Sequence, residues 1–365
     1  MATMAHSGAH AILAVAVGAA VLAVAPAGAG VPDGRGRLQV TQTFAGAYDE
    51  GSISYLRVRN GRRVVLRRSR PGPLRAGLSP RAGLYRVLSY QRPCQGNCSR
   101  LEPPADRCSR RVRVFAGETS RVHAVTRPGE GCRIAVREPA AFPSRRGIRA
   151  ARRYVRGRAV TSFALIDSHG RLYGVAPHRR YVTASVVKAM LLVARLRQIG
   201  NRPPGASDRA VLNPMITVSD NGAASAVYGS VGDAGLLALA QRAGMRDLTV
   251  GGHWGAVYFS AADQARFFLI LDKLVPRRSR GYARRLLSSI ASYQRWGFSA
   301  VSQRRGWRTF FKGGWRQTGL GSLVHEAALF ERKGRRFSLA VLTDGNPSHD
   351  YGTETLRGVA QRIFR

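Results

Sequence analysis

The chain has 365 residues, of which 59 are Lys or Arg and 20 are Asp or Glu, for a formal net charge of +39. So basic a chain is drawn to polyanions, and nucleic acid is the usual partner. Here the arginines are scattered along the whole length, without stacking aromatics or a helix-turn-helix pattern, which argues against specific nucleic-acid recognition.

Residues 1–29 read as a signal peptide. An apolar run from Ala11 to Ala25 precedes Ala27-Gly28-Ala29, a small-x-small site, and the expected cut follows Ala29. The region before the run has no Lys or Arg, and a retained anchor helix is the alternative. Cleavage predicts a secreted, extracellular protein, wall-associated through its charge, with no transmembrane anchor. No other stretch is apolar enough to span a membrane.

Residues 31–138 read as a separate all-β, sandwich-like domain. Short apolar runs at Leu38–Phe44, Ile53–Val58, Val64–Leu66, Leu84–Tyr90, Val112–Phe115, Val122–Thr126 and Ile134–Val136 are parted by Gly, Pro, Asp and Asn. Several alternate cleanly, as Val112 and Val114 do with Arg111 and Arg113, giving one buried and one charged face. All four cysteines (Cys94, Cys98, Cys108, Cys132) fall here. An even cluster in an exported chain predicts two disulfides, with three connectivities open; a zinc site is the rival, but the spacings are not those of a zinc ribbon. No chemical constellation is visible in this domain.

A Pro-rich break over residues 139–146 is the expected linker to a second domain at 147–365. Arg145, Arg149, Arg152, Arg153 and Arg156 line one face of a predicted helix and Ile148, Ala151 and Val155 the other. Further helical patterns run over 185–199, 222–229, 232–244, 261–275 and 281–292. Strands are predicted near 308–312, 322–331 and 336–343, with a last helix from about 353. Strands at both ends with helices between predict an antiparallel sheet joined to a helical lobe.

Within this domain Ser185-Val186-Val187-Lys188 opens a buried helix. Ser185 and Lys188 are one turn apart, ~5–6 Å between Cβ atoms, where an amine can take a hydroxyl proton. Only four of the 59 basic residues are lysine (Lys188, Lys273, Lys312, Lys333); the rest are arginine, which keeps its proton in proteins. A lysine placed after a helix-start serine therefore points to a need for a removable proton, although a GC-rich genome also explains scarce lysine.

Ser219-Asp220-Asn221 and Lys312-Gly313-Gly314-Trp315 follow in order. Each alone passes as a helix cap or a strand entering a turn. Together with Ser-x-x-Lys they match the Ser-x-x-Lys, Ser-Asp-Asn and Lys-Thr-Gly series, and residues 144–365 resemble the class A β-lactamases and penicillin-binding proteins. The run Thr161–Gly174 resembles that family's opening hairpin. The resemblance implies an α+β, β-lactamase/transpeptidase-like domain in which Ser185 is the nucleophile, Lys188 the base and Ser219 a proton relay. Asn221, Lys312, Gly314 and Trp315 would bind substrate, Asn221 holding its amide group or else the Lys188 side chain, with Asp220 bracing the loop and the amides of Ser185 and Trp315 forming the oxyanion hole. Lys312 would keep Lys188 neutral by its charge. Neither cofactor nor metal is implied.

Two departures matter. Gly313 stands where the family has Thr, removing a hydroxyl that helps hold a substrate carboxylate. Between Gly222 and Phe311 there is no Glu to activate the deacylating water, only Asp233, Asp247, Asp263 and Asp272. His253, in Gly251-Gly252-His253-Trp254-Gly255, is a candidate substitute base, though such a His is more often packed or solvated. Three functions compete on this reading: an exported serine acyl-hydrolase acting on a β-lactam, a peptidoglycan-type peptide or an ester; a degenerate member that binds wall polymers; and a polyanion-binding protein.

Overall fold

The computed structural model describes residues 34–45, 51–95 and 98–365, so the expected signal peptide lies outside the described residues. Among the described residues nine strands come first: β1 (Arg37–Phe44), β2 (Ser52–Asn60), β3 (Arg63–Pro71), β4 (Leu74–Leu78), β5 (Gly83–Gln95), β6 (Arg100–Leu101), β7 (Ala105–Val114), β8 (Thr119–Arg127) and β9 (Gly131–Arg137). They form one sheet of order β4-β1-β8-β9 and a second of order β3-β2-β5-β6, with β7 also paired to β5. In β2 every second residue from Ser52 to Val58 is buried. Inward-facing Leu38, Val40, Leu56, Val58, Val87, Val112 and Val122 share one small core. Strands β4 and β6 were not visible as patterns, because both are short and rich in Arg and Gly or lie beside a turn.

The cysteines pair Cys94–Cys98 and Cys108–Cys132, which settles the connectivity left open by sequence. The second bond ties β7 to β9 and so joins strands of the two sheets.

The remaining elements follow: α1 (Arg145–Arg156), β10 (Val160–Ile166), β11 (Leu172–Val175), β12 (Arg180–Val182), α2 (Val187–Ile199), α3 (Ala206–Thr217), α4 (Asn221–Ala243), β13 (Tyr258–Ser260), α5 (Ala261–Leu269), α6 (Leu271–Leu274), α7 (Arg280–Ser288), α8 (Phe298–Arg304), β14 (Arg308–Thr318), β15 (Gly321–Arg332), β16 (Arg335–Asn346) and α9 (His349–Ile363). The central sheet has the order β11-β10-β16-β15-β14 and is antiparallel throughout. Helix α1 is capped by Ser144, whose Oγ accepts from Gly147 N at 3.1 Å, and buries Ile148, Ala151 and Val155. With α9 it covers one face of the sheet. The opposite face carries the larger core, built around α2, α4 and α5.

Sequence patterns placed two helices at 222–229 and 232–244; a left-handed Gly232 (φ 61°) breaks α4 between them. By length and composition α4 could cross a membrane, contrary to the sequence expectation, yet Ala224, Val227, Leu236 and Leu239 are buried against the core. Helices α3 and α8 were missed. Pro214 inside α3 and the brevity of α8 hide the helical period.

The N-terminal sheets rest on the β15–β16 turn. Glu118, buried, pairs with Arg335 at 3.1 Å and His169 at 3.7 Å, and the Phe115 ring stacks on His169.

Candidate active site

Helix α2 is buried from Val187 to Ala194 and again at Leu196, so it is apolar on all sides and Lys188 at its second position is carried into the interior. Ser185 lies in the single 3₁₀ turn, Ala184–Val186, that leads into it. Ala184 takes φ 44°, an uncommon left-handed value for a residue with a Cβ, and Ser219 takes φ 63°. Such outliers persist only where neighbours hold them. One holder is His325, which is fully buried and whose pKa burial pushes down to about 4. Its Nδ1 accepts from Thr343 N at 3.1 Å, so the proton sits on Nε2, which donates to Val182 O at 3.1 Å and fixes the chain three residues before Ser185.

The two amines meet at Ser219. Lys188 Nζ donates to Ser219 O at 2.6 Å, Ser219 Oγ at 3.2 Å and Asn221 Oδ1 at 2.7 Å. Lys312 Nζ, on β14, donates to the same Ser219 Oγ at 3.1 Å and to Gly313 O at 2.9 Å. Asp220 caps α4, accepting from Ala223 N at 2.6 Å, as expected of a brace.

Burial lowers the pKa of Lys188 to about 8, with Asp220 opposing. Lys312 falls to about 7, from burial first and repulsion by Lys188 second, with Glu326 opposing. This amends the expectation that Lys312's charge keeps Lys188 neutral: burial is the first cause at both. Two buried amines so close also titrate as a pair, releasing protons in two steps.

Gly314 is where backbone meets backbone. A Cβ there would stand 2.7 Å from Ser185 N and 2.9 Å from Val186 N, so any other residue on β14 would push the Ser185 turn away. Ser185, Ser219, Asn221 and Trp315 line one cleft of about 330 Å³ together with Trp254, Tyr293 and Arg316. Trp254 closes the other side, its Nε1 donating to Ser225 Oγ at 3.0 Å and its ring 4.9 Å from Lys188 Nζ. All seven predicted site residues thus sit at or beneath this one cleft.

The four aspartates between the second and third motifs are engaged elsewhere. Asp233 accepts from Tyr228 and from Gly252 N, and Asp247 bonds His178 and Ser260. Asp263 accepts from Arg246 N and Asp247 N, and Asp272 pairs with Arg284 and Arg336. His253 spends Nδ1 on Gly255 N at 3.0 Å, capping a turn. None of these five lines the cleft.

Sequence reasoning missed Tyr293, Trp296, His325 and Glu326. The first two belong to an irregular segment without periodic signal. The other two are adjacent in β15 among apolar residues, and only their full burial marks them.

The fold is similar to that of the serine β-lactamases and penicillin-binding proteins. Residues 201–365, a little under half of the chain, match the beta-lactamase enzyme family; the match begins after Ser185 and includes the second and third motifs. Solved structures agree in fold. A β-lactamase from Sphaerobacter thermophilus is 17% identical at a TM-score of 0.51, covering 60% of this chain and 95% of that one. A β-lactamase from Xanthomonas campestris pv. campestris is 17% identical at 0.51, covering 59% and 96%. The protein PBP-A is 18% identical at 0.51, covering 62% and 97%. No curated protein sequence matches the chain. These likenesses give the fold of the β-lactamases and, over residues 201–365, a similarity to the beta-lactamase enzyme family.

Proposed function

We propose that the chain is an exported enzyme that forms an acyl-enzyme at Ser185 from a β-lactam, a peptidoglycan-type peptide or an ester, and releases it slowly. The observation that carries this is the meeting of two depressed amines on Ser219 Oγ at the cleft that Ser185 lines. Ser185 Oγ attacks the carbonyl carbon while neutral Lys188 takes its proton, and the amides of Ser185 and Trp315 receive the developing oxyanion. As the C–N or C–O bond breaks, the proton passes from Lys188 through Ser219 to the leaving atom. Lys312, when charged, attracts a substrate carboxylate. Water must then cleave the ester, and with all four aspartates and His253 engaged elsewhere no carboxylate among the described residues lines the cleft to activate it.

On this reading the N-terminal sandwich presents the enzyme at the wall, where the net positive charge favours anionic polymers, and residues 1–29 direct export. Intact mass after incubation with benzylpenicillin tests the central step. One persistent adduct per chain, missing from Ser185→Ala, is the expected result. Absence of any adduct with β-lactams and activated esters alike would favour a binding role for the fold. Fast nitrocefin turnover would contradict slow release.

A further inference from the structure

Of the four tryptophans in the chain, Trp254 and Trp315 line the cleft, Trp296 packs between a core and a neighbouring cavity, and Trp307 is buried in the core. A second cavity of about 410 Å³, lined by Tyr293, Trp296, Trp315, Arg316, Leu323 and His349 among others, opens beside the first and shares Tyr293, Trp315 and Arg316 with it. We propose that this annex is a substrate subsite for a planar, uncharged aromatic ring carried next to the scissile bond. The proposal rests on the acyl-enzyme reading above and names the substrate class that the site selects.

Four observations support it. Tyr293 is 65% exposed and Trp315 39%, so aromatic surface faces water beside a serine of the nucleophile motif. Single exposed aromatics need no explanation, but a contiguous apolar pocket does. The rings are held in place by edge-to-face packing: Trp296 on Trp315 at 6.1 Å and 83°, Trp315 on His349 at 6.0 Å and 74°, and Trp296 on His349 at 5.5 Å and 89°. A rigid aromatic wall loses little freedom on binding. Gln317 Nε2 donates to Ser322 Oγ at 2.9 Å, so these two polar neighbours satisfy one another and Tyr293, Trp296, Trp315 and Leu323 remain as the apolar part of a lining that Arg316 and His349 complete.

The fourth observation explains the departure at position 313. A Cβ on Gly313 would lie 3.1 Å from Trp296 Cη2 and 3.2 Å from Cζ2, tighter than ordinary contact. The bare glycine is what lets Trp296 lie against β14. Where the resembling family has a threonine hydroxyl to hold a carboxylate, this chain has an indole wall.

The test compares matched thioesters of non-aromatic thiols bearing an acetyl or a phenylacetyl group, and acetyl thioesters of methanethiol or benzyl mercaptan, by the rate of Ser185 acylation. The first pair places the ring on the acyl side and the second on the leaving side. Wild type should prefer the aryl member of one pair by about tenfold, the worth of one good aromatic contact. That ratio should fall to near unity in Trp315→Ala and in Tyr293→Ala; being a ratio, it is insensitive to a general loss of rate, and exposed Tyr293 can be cut without unfolding the protein. Equal aryl and alkyl rates, or a preference untouched by both variants, would overturn the proposal while leaving the acyl-enzyme intact. The indole N–H signals of Trp296 and Trp315 in Ser185→Ala protein give a readout free of chemistry. Saturable shifts with N-acetylphenylalanine amide and not with N-acetylalanine amide support the subsite; no difference between the two contradicts it, even if no ester acylates.

Discussion

The two halves of the molecule use positive charge in opposite ways. In the N-terminal sandwich every cation is arginine, and in strands such as β7 these side chains stand on the solvated face opposite buried Val112 and Val114. In the C-terminal half two of the four lysines are fully buried and share one serine hydroxyl. Arginine on an exposed strand stays charged and costs little. An amine at the second residue of an all-apolar helix must leave water, and its proton becomes loose enough to move. The same sign of charge is therefore solvated in one half and, on the reading proposed above, put to chemistry in the other.

Lys188→Arg tests that contrast most severely, because it keeps the charge and removes the ability to lose it. Acylation at Ser185 should fall on the order of 10³-fold, the span of a lost general base, as followed by mass spectrometry of the adduct with time. A fall of less than tenfold would mean that the proton goes elsewhere. Gly314→Ala should follow at about 10²-fold, since the added methyl stands 2.7 Å from Ser185 N and displaces the turn that carries the proposed nucleophile and oxyanion donor. Urea unfolding of the same variant separates a moved site from a lost fold.

How far these sites could be read from sequence differs by the kind of signal. The triplets at Ser185, Ser219 and Lys312 were legible because each chemistry needs its residue type in chain order, and strands β14 to β16 were legible from apolar runs. The cause of the lowered amine pKa was not legible, since burial depends on which face of the sheet α2 covers. Nor was the meaning of Gly313, which becomes clear only when Trp296, seventeen residues earlier, is seen against it. His325 and Glu326 lie inside the predicted strand 322–331 without a signal of their own, and their hydrogen bonds run to partners on other elements.

Two smaller effects sharpen the comparison from either side. Replacing Cys108 and Cys132 with Ser should destabilise the sandwich by about 3 kcal/mol, the loop-closure value for a cross-link of this span, while acylation changes less than twofold. Separate melting of the two halves by calorimetry reads the first, and the adduct rate the second; a collapse of acylation would show that the sandwich shapes the site. Glu326, fully buried behind β14, has its pKa raised to about 8 by burial, against backbone bonds from Phe298 and Ser299. The folded state holds this proton more tightly than the unfolded chain, so the carboxyl costs stability as pH rises from the ordinary carboxylate range through about 8. Glu326→Gln lacks that cost, and its urea midpoint should gain on wild type between pH 5 and pH 9. A difference independent of pH would count against a buried, protonated Glu326.

The most direct measurement is the titration of the lysine side chains themselves by NMR with ¹³Cε-labelled lysine, where four signals make assignment simple. Two of them should titrate in coupled steps near pH 7 and pH 8, one disappearing in Lys312→Arg and the other in Lys188→Arg. If neither titrates below pH 10, the amines keep their protons at neutral pH and Lys188 cannot act as the base.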